Sequence, residues 1–122
     1  MAGEAGMKFE PQTVARALRK SWSTDTAQQW SKQRPAAGQC NVTALLVHDL
    51  FGGELLKTGL PGGDHFYNRI DGVRYDLTAG QFDAPIGYAD TTAARTDAER
   101  GATSAELLAL RSAFMRYFGH SG

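Results

Sequence analysis

Residues 65–78, HFYNRIDGVRYDLT, suit one local structure and few others. Two stretches rich in aromatic and β-branched residues flank Asp71-Gly72. Both central positions of a type I′ turn need a positive φ, which Asp-Gly tolerates, so the reading is a β-hairpin with a two-residue loop. That loop length fixes the register. Ile70 pairs with Val73, Asn68 with Tyr75 and Phe66 with Leu77 on one face. Arg69 with Arg74, Tyr67 with Asp76 and His65 with Thr78 share the other. His65 and Asp76 then become diagonal neighbours within hydrogen-bonding reach. A three-residue loop would send Asp76 to the opposite face.

Upstream lies GQCNVTALLVHDLFGGELL, residues 38–56, which carries the only cysteine of the chain. The pattern predicts a helix from Gly38 or Gln39 to about Phe51, stopped by Gly52-Gly53. Val42, Leu45, Leu46, Val47 and Leu50 ring nearly its whole circumference, which marks a buried central helix, and only Asn41 and His48 share a polar side. His48 is read as structural. Cys40 sits in the first turn, where a thiol meets the positive end of the helix dipole and unpaired amide donors.

The rest of the chain supplies the frame. Residues 1–10 are expected to be disordered. A helix is predicted from Pro11, with Val14, Leu18 and Trp22 recurring at four-residue spacing. Residues 23–37 read as a loop anchored by Trp30. ELLKT, residues 54–58, reads as a short strand, and residues 60–64 as a turn. Residues 79–102 show little periodicity and read as a long loop: a lid, a packed loop or a segment hiding a short helix. Thr103 to Glu106 has capping-box spacing, and Leu107, Leu110, Phe114 and Phe118 give the closing helix one apolar face. His120, in the tail, is expected to be solvated. Helices around an antiparallel sheet make an α+β fold, with 122 residues forming one domain over 1–122.

Composition excludes several functions. Thirteen basic and thirteen acidic residues leave no net charge, so nothing favours nucleic acid or an anionic membrane surface. No apolar run is long enough to span a bilayer. The N-terminal stretch MAGEAGMKFE lacks the apolar core of a secretory leader, and one cysteine allows no internal disulfide, so a cytoplasmic protein is expected. No GK[ST] or GxGxxG motif is present, and no cofactor is expected. A metal site from Cys40, His65 and Asp76 would lack the usual CxxC or HxxxH spacing, and none is expected.

An imidazole held by a carboxylate keeps one tautomer and becomes more basic. Cys40, His65 and Asp76 therefore read as nucleophile, general base and orienting acid. The Cys40 N–H, with Gln33 or Gln39, is the expected oxyanion site. Asn68 is expected to support from the apolar face, Trp30 to roof the cleft and Tyr67 to line it. Cysteine on a helix start, histidine on the first strand of a hairpin and an acid on the next resembles the papain-like cysteine enzymes. That set includes NlpC/P60 peptidases, transglutaminase-like enzymes and arylamine N-acetyltransferases. The resemblance implies a papain-like core, a central buried helix with N-terminal Cys packed on a small antiparallel sheet with flanking helices.

A more specific likeness covers residues 14–83. WSKQRPAAGQCNVTALLVHDLFGGELL followed by HFYNRIDGVRYDLTAGQF is similar to the YunG-like family of small bacterial proteins, in which a tryptophan, a proline, GQC-x-VTAL, FGGE, HYWNR and DLT-x-x-QF follow in order. The expected function is that of a cysteine hydrolase or acyltransferase acting through a covalent acyl-enzyme. Its partner would be a small-molecule or peptide substrate with an amide, isopeptide or thioester bond. The alternative is a non-catalytic binding or regulatory module on the same fold, or a redox-sensing thiol. The register also poses a problem. The apolar face of the hairpin should pack on the buried helix, yet His65 and Asp76 lie on the other face. Either the helix start reaches around the sheet edge, or a bulge near Tyr67 rotates His65.

Overall fold

The computed structural model describes residues 7–118. The expected disorder of residues 1–6 and the solvated His120 lie outside them. Residues 7–10 are packed rather than frayed, because Phe9 lies edge-on against Phe51 and Tyr75, with ring centroids 5.3 and 4.8 Å away. Helix α1 (Pro11–Ser21) begins with proline at its start, and Glu10 accepts the Thr13 N–H at 2.8 Å. Helix α2 (Cys40–Phe51) ends at Gly52, whose φ of 78° only glycine adopts freely. Strands β1 (Glu54–Leu60), β2 (Gly63–Ile70) and β3 (Val73–Tyr75) follow, then β4 (Thr91–Thr92), α3 (Arg95–Glu99) and α4 (Ser104–Phe118). The fold is α+β, with a four-stranded antiparallel sheet in the order β3-β2-β1-β4.

Helix α2 is the hub. Val42, Leu46 and Leu50 pack with Val14 and Leu18 of α1 and with Leu110 and Phe114 of α4. Ala44 and Leu45 face Leu55, Phe66 and Ala98 on the sheet side. A helix covered on both sides has no room for a polar stripe, which is why its apolar residues run round the circumference. The capping box at the start of α4 forms as its spacing predicts: Glu106 N–H donates to Thr103 Oγ1 at 3.0 Å, and Thr103 N–H to Glu106 Oε1 at 2.9 Å.

The Asp71-Gly72 hairpin has its two-residue loop, with φ of 51° and 80°, and pairs Ile70 with Val73 and Asn68 with Tyr75. The ladder then stops at Tyr75, so the expected Phe66–Leu77 and His65–Thr78 pairs do not form. Asp76 instead accepts the Thr78 N–H at 3.2 Å, an Asx turn that pulls the chain off β2. Upstream, the turn predicted over 60–64 is only Pro61-Gly62, because Leu60 already pairs with Gly63. Residues 79–102 are not the structureless loop expected. They hold a 3₁₀ turn over Ala79–Gln81, strand β4 and helix α3, each too short for periodicity to reveal. Among the described residues no helix is long and apolar enough to cross a membrane.

Candidate active site

The start of α2 is built by residues 22–39. Gln39 is fully buried, its Oε1 accepts from Thr26 Oγ1 at 2.8 Å, and Trp22 Nε1 donates to Thr43 Oγ1 at 2.9 Å. No side chain caps the helix, so the N–H groups of its first turn are left for other partners. Cys40 sits there, partly exposed. Its Sγ donates to Asn41 Oδ1 at 3.2 Å, and Asn41 Nδ2 donates to Ala98 O at 2.9 Å, which fixes the orientation of that carboxamide.

His65 lies on β2, 2% exposed. Its Nε2 meets Asp76 Oδ2 at 2.7 Å, the diagonal contact that the two-residue hairpin loop implies. That leaves Nδ1 for the Cys40 thiol, which lines the same cleft and favours the charged imidazole. Tyr67 stacks on one side of the ring at 5.8 Å, and Phe82 packs edge-on at 4.8 Å. Burial opposes the charged imidazolium. The hydrogen bond to Asp76, then that to Cys40, and the charges of both outweigh it and hold His65 up at about 9. Asp76 is itself buried and fully engaged: Oδ2 also accepts from Tyr88 OH at 2.8 Å, and Oδ1 from Thr78 N–H and Oγ1. Burial first, and then the Asp76 hydrogen bond, push the Tyr88 phenol up to about 12.

Of the two ways of bringing Cys40 to His65, the sheet register excludes one. The β1–β2 register runs unbroken from Glu54–Arg69 to Leu60–Gly63, so no bulge rotates His65. Because β3 spans only Val73–Tyr75, the edge of β2 beyond Asn68 has no strand beside it. The start of α2 brings Cys40 to the side of the sheet on which His65 lies. There Cys40 and His65 line a cleft of about 470 Å³ with Leu60, Pro61, Phe82 and Ile86. The outer wall is pinned rather than free. Arg74 grips Asp90 through two hydrogen bonds of 2.8 and 2.9 Å, Tyr67 OH accepts the Asp90 N–H at 2.8 Å, and Thr58 Oγ1 accepts the Ala89 N–H at 2.9 Å.

Several expected residues sit elsewhere. Gln33 is exposed and lines a different groove, beside Arg34 and Gly80, because Pro35 and the turn after it carry it away from the thiol. Gln39 spends its carboxamide on the 23–26 turn and has none left for an oxyanion. Asn68 is buried and donates to Ala44 O at 3.0 Å, tying β2 to α2. Tyr67 backs His65 from behind instead of lining the cleft, and Trp30 packs against the helical core rather than roofing it.

The glutamine that does come near is Gln29. It lines a second groove of about 330 Å³ together with Cys40, Asn41 and Glu106. Its carboxamide lies over Gly38, where a Cβ would sit 2.7 Å from Gln29 Cδ. Gly38 also has a φ of 73°, so glycine is required there twice over. That glycine, two residues before the cysteine, was the signal in the sequence. Asn41, Thr78 and Tyr88 were likewise not singled out as site residues. Among the described residues no three His, Cys, Asp or Glu side chains converge as metal ligands would.

A family model described as YunG protein matches residues 10–119. The uncharacterized protein YunG of Bacillus subtilis (strain 168) is 42% identical over 100 residues, which cover 82% of this chain and 87% of that protein. No solved structure matches the chain significantly.

Proposed function

The chain belongs to the YunG family, and we propose that it is a cysteine hydrolase or acyltransferase with Cys40, His65 and Asp76 as its triad, in a reduced papain-like arrangement. The observation that carries the reading is the buried 2.7 Å contact of His65 Nε2 with Asp76, which leaves the other face of the imidazole to the thiol at the head of a cleft. The Cys40 proton rests on His65 Nδ1, and the Sγ thiolate attacks the carbonyl carbon of an amide, isopeptide or thioester. The oxyanion is met by the Cys40 N–H and the Gln29 carboxamide. His65 returns its proton to the leaving group as that bond breaks, giving an acyl-thioester. Water, or an acceptor amine or thiol, then gives its proton to His65 and cleaves the S–C bond, and the thiol is restored. Asp76 holds the ring in place and stabilises its charge.

A second reading, a binding module with a silent thiol, draws on the Asn41 contact, which offers the Cys40 proton a resting acceptor away from His65. Alkylation separates the two. At pH 7, iodoacetamide should modify wild-type Cys40 much faster than it modifies Cys40 in His65→Ala, and turnover of acyl substrates should fall by ~10²–10⁴-fold in that variant. Equal alkylation rates in the two folded proteins refute the triad.

A further inference from the structure

We infer that the substrate is an amide or thioester whose acyl portion carries a cationic amino group, held beside Glu106, and whose leaving group is apolar. This rests on the nucleophilic role proposed for Cys40. The thiol stands between two concavities of different chemistry. The larger, of about 470 Å³, contains His65 and is walled mainly by Leu60, Pro61, Phe82 and Ile86, together with Gln81 and an Asp64 whose carboxylate is already paired with Lys57 at 3.5 Å. The smaller, of about 330 Å³, lacks His65 and is lined by Gln28, Gln29, Asn41 and Glu106, with no lysine or arginine.

The direction of the substrate follows from the proton. A leaving group has to take its proton from His65, so it lies in the cleft that contains the imidazole, against apolar walls. The acyl portion remains bonded to Sγ and extends the other way, into the polar groove. What it meets there is three carboxamides and one carboxylate. Glu106 uses Oε1 to cap Thr103 N–H, and Oε2 is left to a ligand. Uncharged polar groups and a single anion, with no cation in the wall, select a substrate that donates hydrogen bonds and bears positive charge. The capping box also holds Glu106 in place without substrate, so little order is lost on binding.

The test uses 7-amino-4-methylcoumarin amides, which share one apolar aromatic leaving group and release it fluorescently. Lysyl, Nα,Nε-diacetyl-lysyl and Nα-acetyl-glutamyl amides place positive, neutral and negative charge on the acyl side. Attack by Sγ forms the S–C bond and breaks the C–N bond, the coumarin amine takes the His65 proton, and water completes the hydrolysis. The lysyl compound is expected to exceed the diacetyl compound in kcat/KM by about tenfold or more, as one charge-assisted hydrogen bond would give. Glu106→Gln keeps the cap, since glutamine serves equally in a capping box, and should bring the lysyl-to-diacetyl ratio towards one. Acylation of Cys40, followed by mass spectrometry, without regard to charge or in favour of the glutamyl compound overturns this inference and leaves the triad standing. A ratio unchanged in Glu106→Gln also overturns it. Failure of every compound to acylate Cys40 overturns the triad and this inference together.

Discussion

The protonation of His65 is the most direct quantity to measure, because burial and two neighbouring groups set it in opposite senses. Burial disfavours the imidazolium, while Asp76 and Cys40 favour it, and the balance moves the value from 6.5 to about 9. A rise of that size means that the folded site prefers the charged ring by about 3 kcal/mol more than water does. Replacing Asp76 by asparagine removes the larger of the two favourable partners and leaves burial in place. The new side chain retains an amide oxygen for Nε2–H, so the ring keeps its position and loses its counter-charge. The wild-type His65 Cε1–H resonance, identified by its absence in His65→Gln, should titrate near pH 9. In Asp76→Asn the midpoint should fall well below the wild-type value, because the strongest favourable partner is lost and burial still opposes the charge. His65 would accordingly be charged at pH 7 in the wild type. A wild-type midpoint near 6.5, or an Asp76→Asn midpoint still near 9, would refute the coupling on which the triad rests.

Two further outcomes test the surrounding structure. Gly53 and Gly72 have similar φ values of 76° and 80°, but a Cβ on Gly53 would collide with the Arg69 carbonyl oxygen, whereas one on Gly72 meets nothing. Chemical denaturation should therefore find that Gly72→Ala costs about 1–2 kcal/mol and Gly53→Ala clearly more, since β2 itself has to shift; equal costs would contradict the packing at the end of α2. In an alkaline titration followed at 295 nm, the Tyr88 phenol should ionise only near pH 12. Tyr88→Phe should abolish that latest step, and its survival would place Tyr88 away from Asp76.

The elements that a sequence can announce are those fixed by local chemistry, and here those were the hairpin, α1, α2 and the capped start of α4. Asp71-Gly72 sets its own turn whatever surrounds it, and one loop length puts His65 and Asp76 on one face. Leu45 and Val47 point in nearly opposite directions from α2 and are both buried, so circumference alone reported a hub. What was not legible depended on distant partners. Strand β4 is two residues long and exists because β1 offers it an edge at Leu56 and Lys57. Helix α3 has five residues and is fastened by Arg95 to Asp49 of α2, a contact between positions 46 apart that carries no periodic signal. The oxyanion glutamine was misplaced for the same reason. Distance along the chain favoured Gln33 and Gln39, but the turn at 23–26 consumes Gln39, and only the folded loop lays Gln29 over Gly38.

The end of the hairpin ladder and the orientation of the imidazole meet in one carboxylate. Asp76 Oδ1 accepts from Thr78 N–H and Oγ1, and this turns the chain away after Tyr75. Oδ2 faces the sheet and takes His65 and Tyr88. Had β3 continued to Thr78, as the pairing pattern allows, it would have covered the edge of β2 beside His65. The turn that ends the ladder therefore also leaves the edge of β2 beside His65 without a strand. The departing chain then supplies Phe82 against the imidazole and Ile86 for the cleft wall. In DLT one aspartate terminates a strand with one carboxylate oxygen and fixes the histidine with the other, so the end of the ladder and the orientation of the imidazole are set by the same side chain.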